Sequence, residues 1–204
     1  MEFRISKKQT RLVFIVVLLT TLLMATCFII GKRISENQTI VKLLEPIQNI
    51  ILTRQHEVGL PLHLKIPKIN VESNIEYVGI GTDGDMGTPS GPDDTAWYDL
   101  GPRPGEKGSA VIDGHSGWKN NIPAVFDNLS ELNVGDKLYI QNEFGSTTTF
   151  VVRKVRTYDK NKDAQNVFDS NDGKAHLNLI TCEGVWDPVT KSSSERLVVF
   201  TDME

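Results

Sequence analysis

Nineteen consecutive residues, Leu12 to Ile30, carry no charge. In hydrocarbon every backbone polar group must be paired within its own segment, so such a run is confined to a helix, and about 20 apolar residues suffice to cross a bilayer. A cleavable signal core is shorter, about 7–15 residues, and closes on a small-x-small site. Ala25-Thr26-Cys27 fits that pattern poorly, because Phe28-Ile29-Ile30 continue the apolar run. Lipoprotein-type cleavage before Cys27 meets the same objection. Residues 12–31 therefore read as a retained transmembrane signal anchor. Arg4, Lys7, Lys8 and Arg11 precede the run, whereas only Lys32 and Arg33 follow it closely. The positive-inside rule then makes residues 1–11 a cytoplasmic tail and puts everything after the span outside the cell.

Four of the 22 Lys and Arg residues precede the span, against one of the 26 Asp and Glu residues. The exported part is thus acidic and lacks the basic footprint a nucleic-acid partner requires. Of the two cysteines, Cys27 lies in the span, so the exported part has the single thiol of Cys182 and no internal disulfide. A leftover cysteine outside the cell points to intermolecular pairing or to a reactive thiol. On composition alone an inert buried cysteine would be the commoner outcome; the residues around Cys182 reverse that preference.

Residues 32–59 read as a stalk, with a helical stripe through Ile40, Val41, Leu43, Leu44, Ile47, Ile50 and Ile51 interrupted at Pro46. From residue 60 the texture changes. Leu62 to Val71 alternates apolar and polar as a half-buried strand does, with Pro67 marking an edge or a break. Further strands read over Ser73 to Gly79, Ala96 to Tyr98, Ala110 to Asp113, Lys137 to Asn142, Thr147 to Tyr158, His176 to Cys182 and Arg196 to Thr201, separated by Gly-, Pro- and Asp-rich turns. Pro123 to Phe126 suits a helical turn, and Asp159 to Lys174 a polar loop holding one short helix. Many short strands with little helix predict an all-β barrel or sandwich over residues 60–204.

Three of these strands each end on or begin with a reactive group: Cys182, His115 and Arg196. A thiol becomes a nucleophile on ionising, and an imidazolium stabilises the thiolate. Attack on a carbonyl creates an oxyanion, which a guanidinium can hold through its permanent charge and several donors. The three types together suffice for acyl transfer through a thioester. Strand tips on one rim can meet without being close in sequence, and the fourteen positions from Cys182 to Arg196 allow a return loop and an antiparallel neighbour.

Leu179-Ile180-Thr181-Cys182, Arg196-Leu197-Val198-Val199 and Gly114-His115 resemble the hallmark sequences of the sortases, membrane-anchored cysteine transpeptidases of Gram-positive cell surfaces. Leu64-Lys65-Ile66-Pro67-Lys68-Ile69-Asn70-Val71 is similar to the opening strand of that family. Ala96-Trp97-Tyr98, Gly101 to Glu106 and Gly108 to Ile112 look most like its class F and class D branches. The resemblance implies a closed eight-stranded barrel and a mechanism. Cys182 attacks the carbonyl of an L-P-x-T-G-type motif near the C-terminus of another exported protein. His115 protonates the departing amine, and Arg196 with a backbone N–H steadies the oxyanion. A peptidoglycan or pilin amine then takes the acyl group. Thr181, Ile180 and Trp186 are candidates for substrate contact. Asn178 stands where the family usually has threonine, Ser116-Gly117-Trp118 departs from many relatives, and residues 32–60 hold no Asp-Pro-aromatic lid motif.

Two other functions fit the same residues: an extracellular cysteine peptidase that hydrolyses the intermediate, and a non-catalytic barrel that binds cell-wall peptides. His56, His63 and His176 lack partners at ligand spacing and read as surface or packing residues. Asp83, Asp85, Asp93 and Asp94 lie in turn sequences without EF-hand spacing, so no metal and no other cofactor is expected.

Overall fold

The computed structural model describes Leu22, Met24, Thr26 and residues 58–82, 84–162, 164–189 and 192–204. The chain divides into two compact units, Met1–Arg54 and Gln55–Glu204. In the first, Leu22, Met24 and Thr26 are helical. The expected cytoplasmic tail, the rest of the expected span and residues 32–57 of the expected stalk lie outside the described residues.

The second unit contains β1 (Pro61–Ile66), β2 (Val71–Val78), β3 (Thr95–Tyr98), β4 (Gly108–Gly114), β5 (Lys137–Asn142), β6 (Thr147–Asp159), β7 (Ala175–Asp187) and β8 (Ser192–Met203). One helical turn, α1 (Gln165–Phe168), interrupts the connection from β6 to β7. The strands close into a barrel in the order β1-β2-β3-β4-β7-β8-β6-β5. The ladders β2–β3 and β4–β7 are parallel and the others antiparallel. Pro67, which cannot donate to a ladder, marks a break: the chain makes a 3-10 turn over Pro67–Ile69, and Asn70 takes φ 54° before β2 begins.

Side chains of a strand alternate between faces, and here the two faces are two separate apolar clusters. Leu64, Ile66, Ile75, Trp97, Ala110, Ile112, Leu138, Ile140, Phe150, Val152, Leu177, Leu179, Leu197 and Val199 fill the barrel. Val111, Val198 and Phe200 sit at the intervening positions, outside it, and cluster with Tyr158 and Val167 of α1; Ile180 and Tyr98 pack against them. The β6–β7 connection is thereby laid over the outer face of β4 and β8.

The last two strands run further than their hydrophobic pattern marks. Cys182 is not the end of β7, nor Arg196 the start of β8; the strands continue as a hairpin to Asp187 and from Ser192. Polar and exposed residues pair in this extension, and period-2 hydrophobicity does not register them. The register shifts between Glu183 and Trp186. Gly184 at that shift has φ 82°, and a Cβ there would run into Ser194 Oγ and sit 3.0 Å from Glu195 Oε2, so the distortion directly after Cys182 depends on glycine.

Candidate active site

The β7–β8 ladder sets Cys182 directly opposite Arg196 and Ile180 opposite Val198. The parallel β4–β7 ladder sets Asp113 beside Ile180, and His115 is the residue that follows the end of β4 at Gly114. Since Ile180 and Val198 belong to the outer cluster, alternation turns Cys182, Arg196 and Asp113 to the outer face as well. Two of the three expected groups, Cys182 and Arg196, are thus set opposite one another, from mid-strand positions rather than from strand tips. The physical reason is the β7–β8 hairpin extension, which carries both strands past the reactive residues.

Burial pushes the half-buried Cys182 thiol above its usual range. The Arg196 charge pulls it down, Asp113 pushes it up, and a hydrogen bond from the Ser193 backbone pulls it down. Arg196 is fastened at the start of β8: Nη1 donates to the carbonyls of Ser193 (3.1 Å) and Glu195 (2.9 Å), and Nη2 donates to Ser192 Oγ (3.1 Å). Three bonds from one planar group fix where its charge sits, and ammonium could not reproduce that geometry.

His115 follows β4 immediately and is held from several sides. Its Nε2–H donates to the Pro89 carbonyl at 2.9 Å, since a carbonyl can only accept. The Trp118 ring lies against it, centroids 4.7 Å apart. The His115 carbonyl accepts from the Phe126 N–H at 2.9 Å. Gly114 makes this possible, because the Phe126 ring occupies the space a Cβ would need.

Thr181, expected to touch substrate, faces the barrel interior. It is 2% exposed and donates from Oγ1 to the Gly114 carbonyl at 2.6 Å. Strand alternation requires this once Cys182 points outward. Its role is to tie the cysteine strand to the histidine strand. Ile180 lies on the outer face, two residues before Cys182, and packs against the outer cluster. Trp186 is largely exposed beyond the register shift and paired with Ser193 within the hairpin, not in a loop.

Asn178 is fully buried and donates from Nδ2 to the Val167 carbonyl at 2.6 Å, so it fastens α1 to β7. His176, read as a surface or packing residue, is buried between two carboxylates: Nδ1 meets Asp202 at 2.7 Å and Nε2 meets Asp172 at 3.0 Å. Among the described residues no three His, Cys, Asp or Glu side chains gather as a metal site.

The residue that sequence reading passed over is Asp113. It is 9% exposed, and burial pushes its carboxyl up to about 7, against the opposing pull of Arg196 and a backbone hydrogen bond at Gly114. In sequence it resembles a turn residue before Gly114-His115. The available signal was its place two residues after Val111 in an apolar strand, where an acid is rarely buried without a partner.

The sortase-domain family model matches residues 64–204. Solved structures similar in fold include a lid mutant of sortase A from Corynebacterium diphtheriae, 24% identical with a TM-score of 0.56, covering 72% of this chain and 70% of that one. Sortase C-1 from Actinomyces oris is 23% identical with a TM-score of 0.56, covering 71% and 74%. A lid mutant of Streptococcus agalactiae sortase C1 is 22% identical with a TM-score of 0.54, covering 70% and 67%. Identity this low speaks to fold and not to branch. Comparison with curated proteins finds no match.

Proposed function

The chain belongs to the sortase family, and from that premise we propose that it is a membrane-anchored cysteine transpeptidase acting outside the cell, with Cys182, His115 and Arg196 as its catalytic residues. Its substrates are exported proteins carrying a C-terminal motif of the L-P-x-T-G type, and its acceptor is a peptidoglycan or pilin amine. The observation that carries the reading is the register of β7 and β8, which opposes Cys182 to Arg196, with His115 one residue past the β4 strand that pairs with β7.

The Cys182 thiolate attacks the carbonyl carbon of the scissile peptide. Arg196, with a nearby backbone N–H, balances the charge that develops on the carbonyl oxygen. His115 gives a proton to the departing amine as the C–N bond breaks, leaving a thioester on Cys182. The incoming amine attacks that thioester and His115 takes its proton, so the amide forms and the thiolate is restored. Burial raises the thiol and Arg196 lowers it; the competent form pairs a thiolate with an imidazolium. The motif resemblance to the class F and class D branches guides the choice of peptides to try first.

Incubating the full chain with sorting-motif peptides, with and without an amine, and weighing Cys182 by mass spectrometry tests this. An acyl adduct that passes to the amine supports the transpeptidase. An adduct that only hydrolyses indicates a peptidase. Peptide binding that survives Cys182→Ala without any adduct in the parent protein indicates a binding barrel.

A further inference from the structure

His115 lies one residue beyond the end of β4 at Gly114, so no ladder fixes its side chain. Its edge is held by the Pro89 carbonyl. That carbonyl is placed in turn by the next residue, Ser90, whose N–H and hydroxyl both donate to the Glu76 carboxylate, the hydroxyl at 2.7 Å. The imidazole also lies against the indole of Trp118, with ring centroids 4.7 Å apart and planes inclined by 51°. Proton transfer by His115 does not by itself account for this second contact.

The turn from His115 to Trp118 is shaped for that contact. Gly117 has φ 70°, in the left-handed region, while open space surrounds the point where a Cβ would sit. Glycine is needed there for the path of the backbone and not for room. Asp127 clamps the excursion that follows: its carboxylate accepts from the Gly117 N–H at 2.6 Å and from the Ala124 N–H at 3.1 Å. The His115 carbonyl accepts from the Phe126 N–H at 2.9 Å, which closes the base of the loop. The half-buried Trp118 is thereby folded back onto the residue three positions before it. Lys119 reaches the same indole, its Nζ 5.4 Å from the ring centroid, so this ring already serves as a seat for a cation.

An indole attracts a cation within about 6 Å of its centroid through the ring quadrupole, a gain that a neutral imidazole does not share. The contact therefore favours the imidazolium, the form that has to give its proton to the departing amine. The charged and titratable groups on the surrounding elements are Asp113 on β4, Cys182 on β7, Arg196 on β8, Glu76 on β2 and Asp127 after β4. A change at Trp118 leaves all of them in place. Resting on the transpeptidase reading, we propose that Trp118 is a positioning residue for the general acid: its indole holds the His115 ring against the Pro89 carbonyl and favours the charged form of that ring. It acts through His115 and takes no part in bond making. Burial that raises the Cys182 thiol makes thiolate with imidazolium the minor proton arrangement of the pair. The active share then follows the proton affinity of the imidazole, so a modest contact acts directly on the rate.

The test uses the full chain in detergent micelles, as the parent protein and as Trp118→Phe and Trp118→Leu, with folding of each variant checked by its thermal transition. kcat and KM for an L-P-x-T-G-type peptide and an amine are measured across pH, and the His115 Hε1 signal is titrated by NMR without substrate. In Trp118→Leu the His115 titration, and the limb of the rate profile that follows it, should move to lower pH by about half a unit. kcat/KM at its optimum should fall by about threefold, which is the same half unit expressed as a population. The loss should sit in kcat, with KM within about twofold of the parent value. Trp118→Phe keeps an aromatic face and should recover most of both effects. A His115 titration unmoved in Trp118→Leu overturns the inference, as does a Trp118→Phe variant no better than Trp118→Leu. A rise in KM with kcat and the titration unchanged overturns it too, and would make Trp118 a substrate contact. If neither variant folds, nuclear Overhauser contacts between His115 and indole protons in the parent decide: their presence, with the Hε1 signal displaced by the indole ring current, supports the contact, and their absence overturns it. Failure of every peptide to acylate Cys182 overturns the transpeptidase reading itself, and is told apart because the titration needs no peptide.

Discussion

Replacing Asp113 with asparagine tests the buried-carboxyl premise through stability rather than activity. Asp113 ionises at an ordinary value of 3.8 in the unfolded chain and at about 7 in the folded one, because burial opposes its charge. Between those values the folded state binds more protons. The stability tied to the neutral carboxyl is fully present below about pH 4 and is lost as pH rises through about 7. One pKa unit is worth about 1.4 kcal/mol, so a gap of about three units costs the folded state on the order of 4 kcal/mol by pH 8. Asparagine fills nearly the same space and does not ionise. The stability of Asp113→Asn relative to the parent should therefore climb across this window by an amount of that order. Urea unfolding of both proteins at a series of pH values between about 4 and 8 measures the difference directly. Asp172, held at about 2 by the Lys174 N–H and by His176, acts with the opposite sign at lower pH. It is common to both proteins and cancels. A difference that stays flat, or that falls as pH rises, would refute the reasoning: the ionised carboxylate would then be well paired in the fold.

Arg196→Lys keeps the charge but loses the planar fork, and kcat/KM for peptide acylation should drop by about 10²–10³; near-parental rates would remove the guanidinium from the mechanism. Acylation should follow a bell-shaped pH profile whose two apparent values belong to the Cys182–His115 pair, and a rate rising monotonically with pH would speak against that pairing. Asn178→Ala should cost about 1–3 kcal/mol through the lost bond to the Val167 carbonyl, and hydrogen exchange at residues 164–169 should quicken; unchanged exchange there would mean the asparagine does not hold α1. Gly184→Ala should destabilise by about 1–3 kcal/mol, because a Cβ meets Ser194 and Glu195 and the backbone has φ 82°, as a thermal melt would show.

The barrel was legible because its strands bury one face. Leu64-Lys65-Ile66, Lys137 to Gln141 and Thr147 to Val152 announce themselves by alternation, and their bounds agree with the structure to within a few residues. Pro67 was legible as an interruption because proline lacks the donor a ladder needs. The β7–β8 hairpin beyond Cys182 and Arg196 was not, since residues such as Glu183, Trp186 and Ser193 pair through their backbones, which every residue possesses and no pattern advertises. Thr181 looked like a contact residue from its place next to Cys182. Adjacency along a strand means opposite faces, and the structure turns it inward to the Gly114 carbonyl.

Residue types and their spacing were enough to specify a thiol, an imidazole and a guanidinium on β-prone segments, and with them the family. Reactivity is a property of side-chain chemistry and is written locally. Which groups share a face was decided only by pairing between strands distant in sequence, above all the parallel β4–β7 ladder that sets Asp113 beside Ile180. The same tertiary contacts withdraw water from Asp113 and Cys182 and hang the Arg196 charge between them. Desolvation depends on everything packed around a group, so a chain read one residue at a time names the chemistry, and the closed barrel sets its strength.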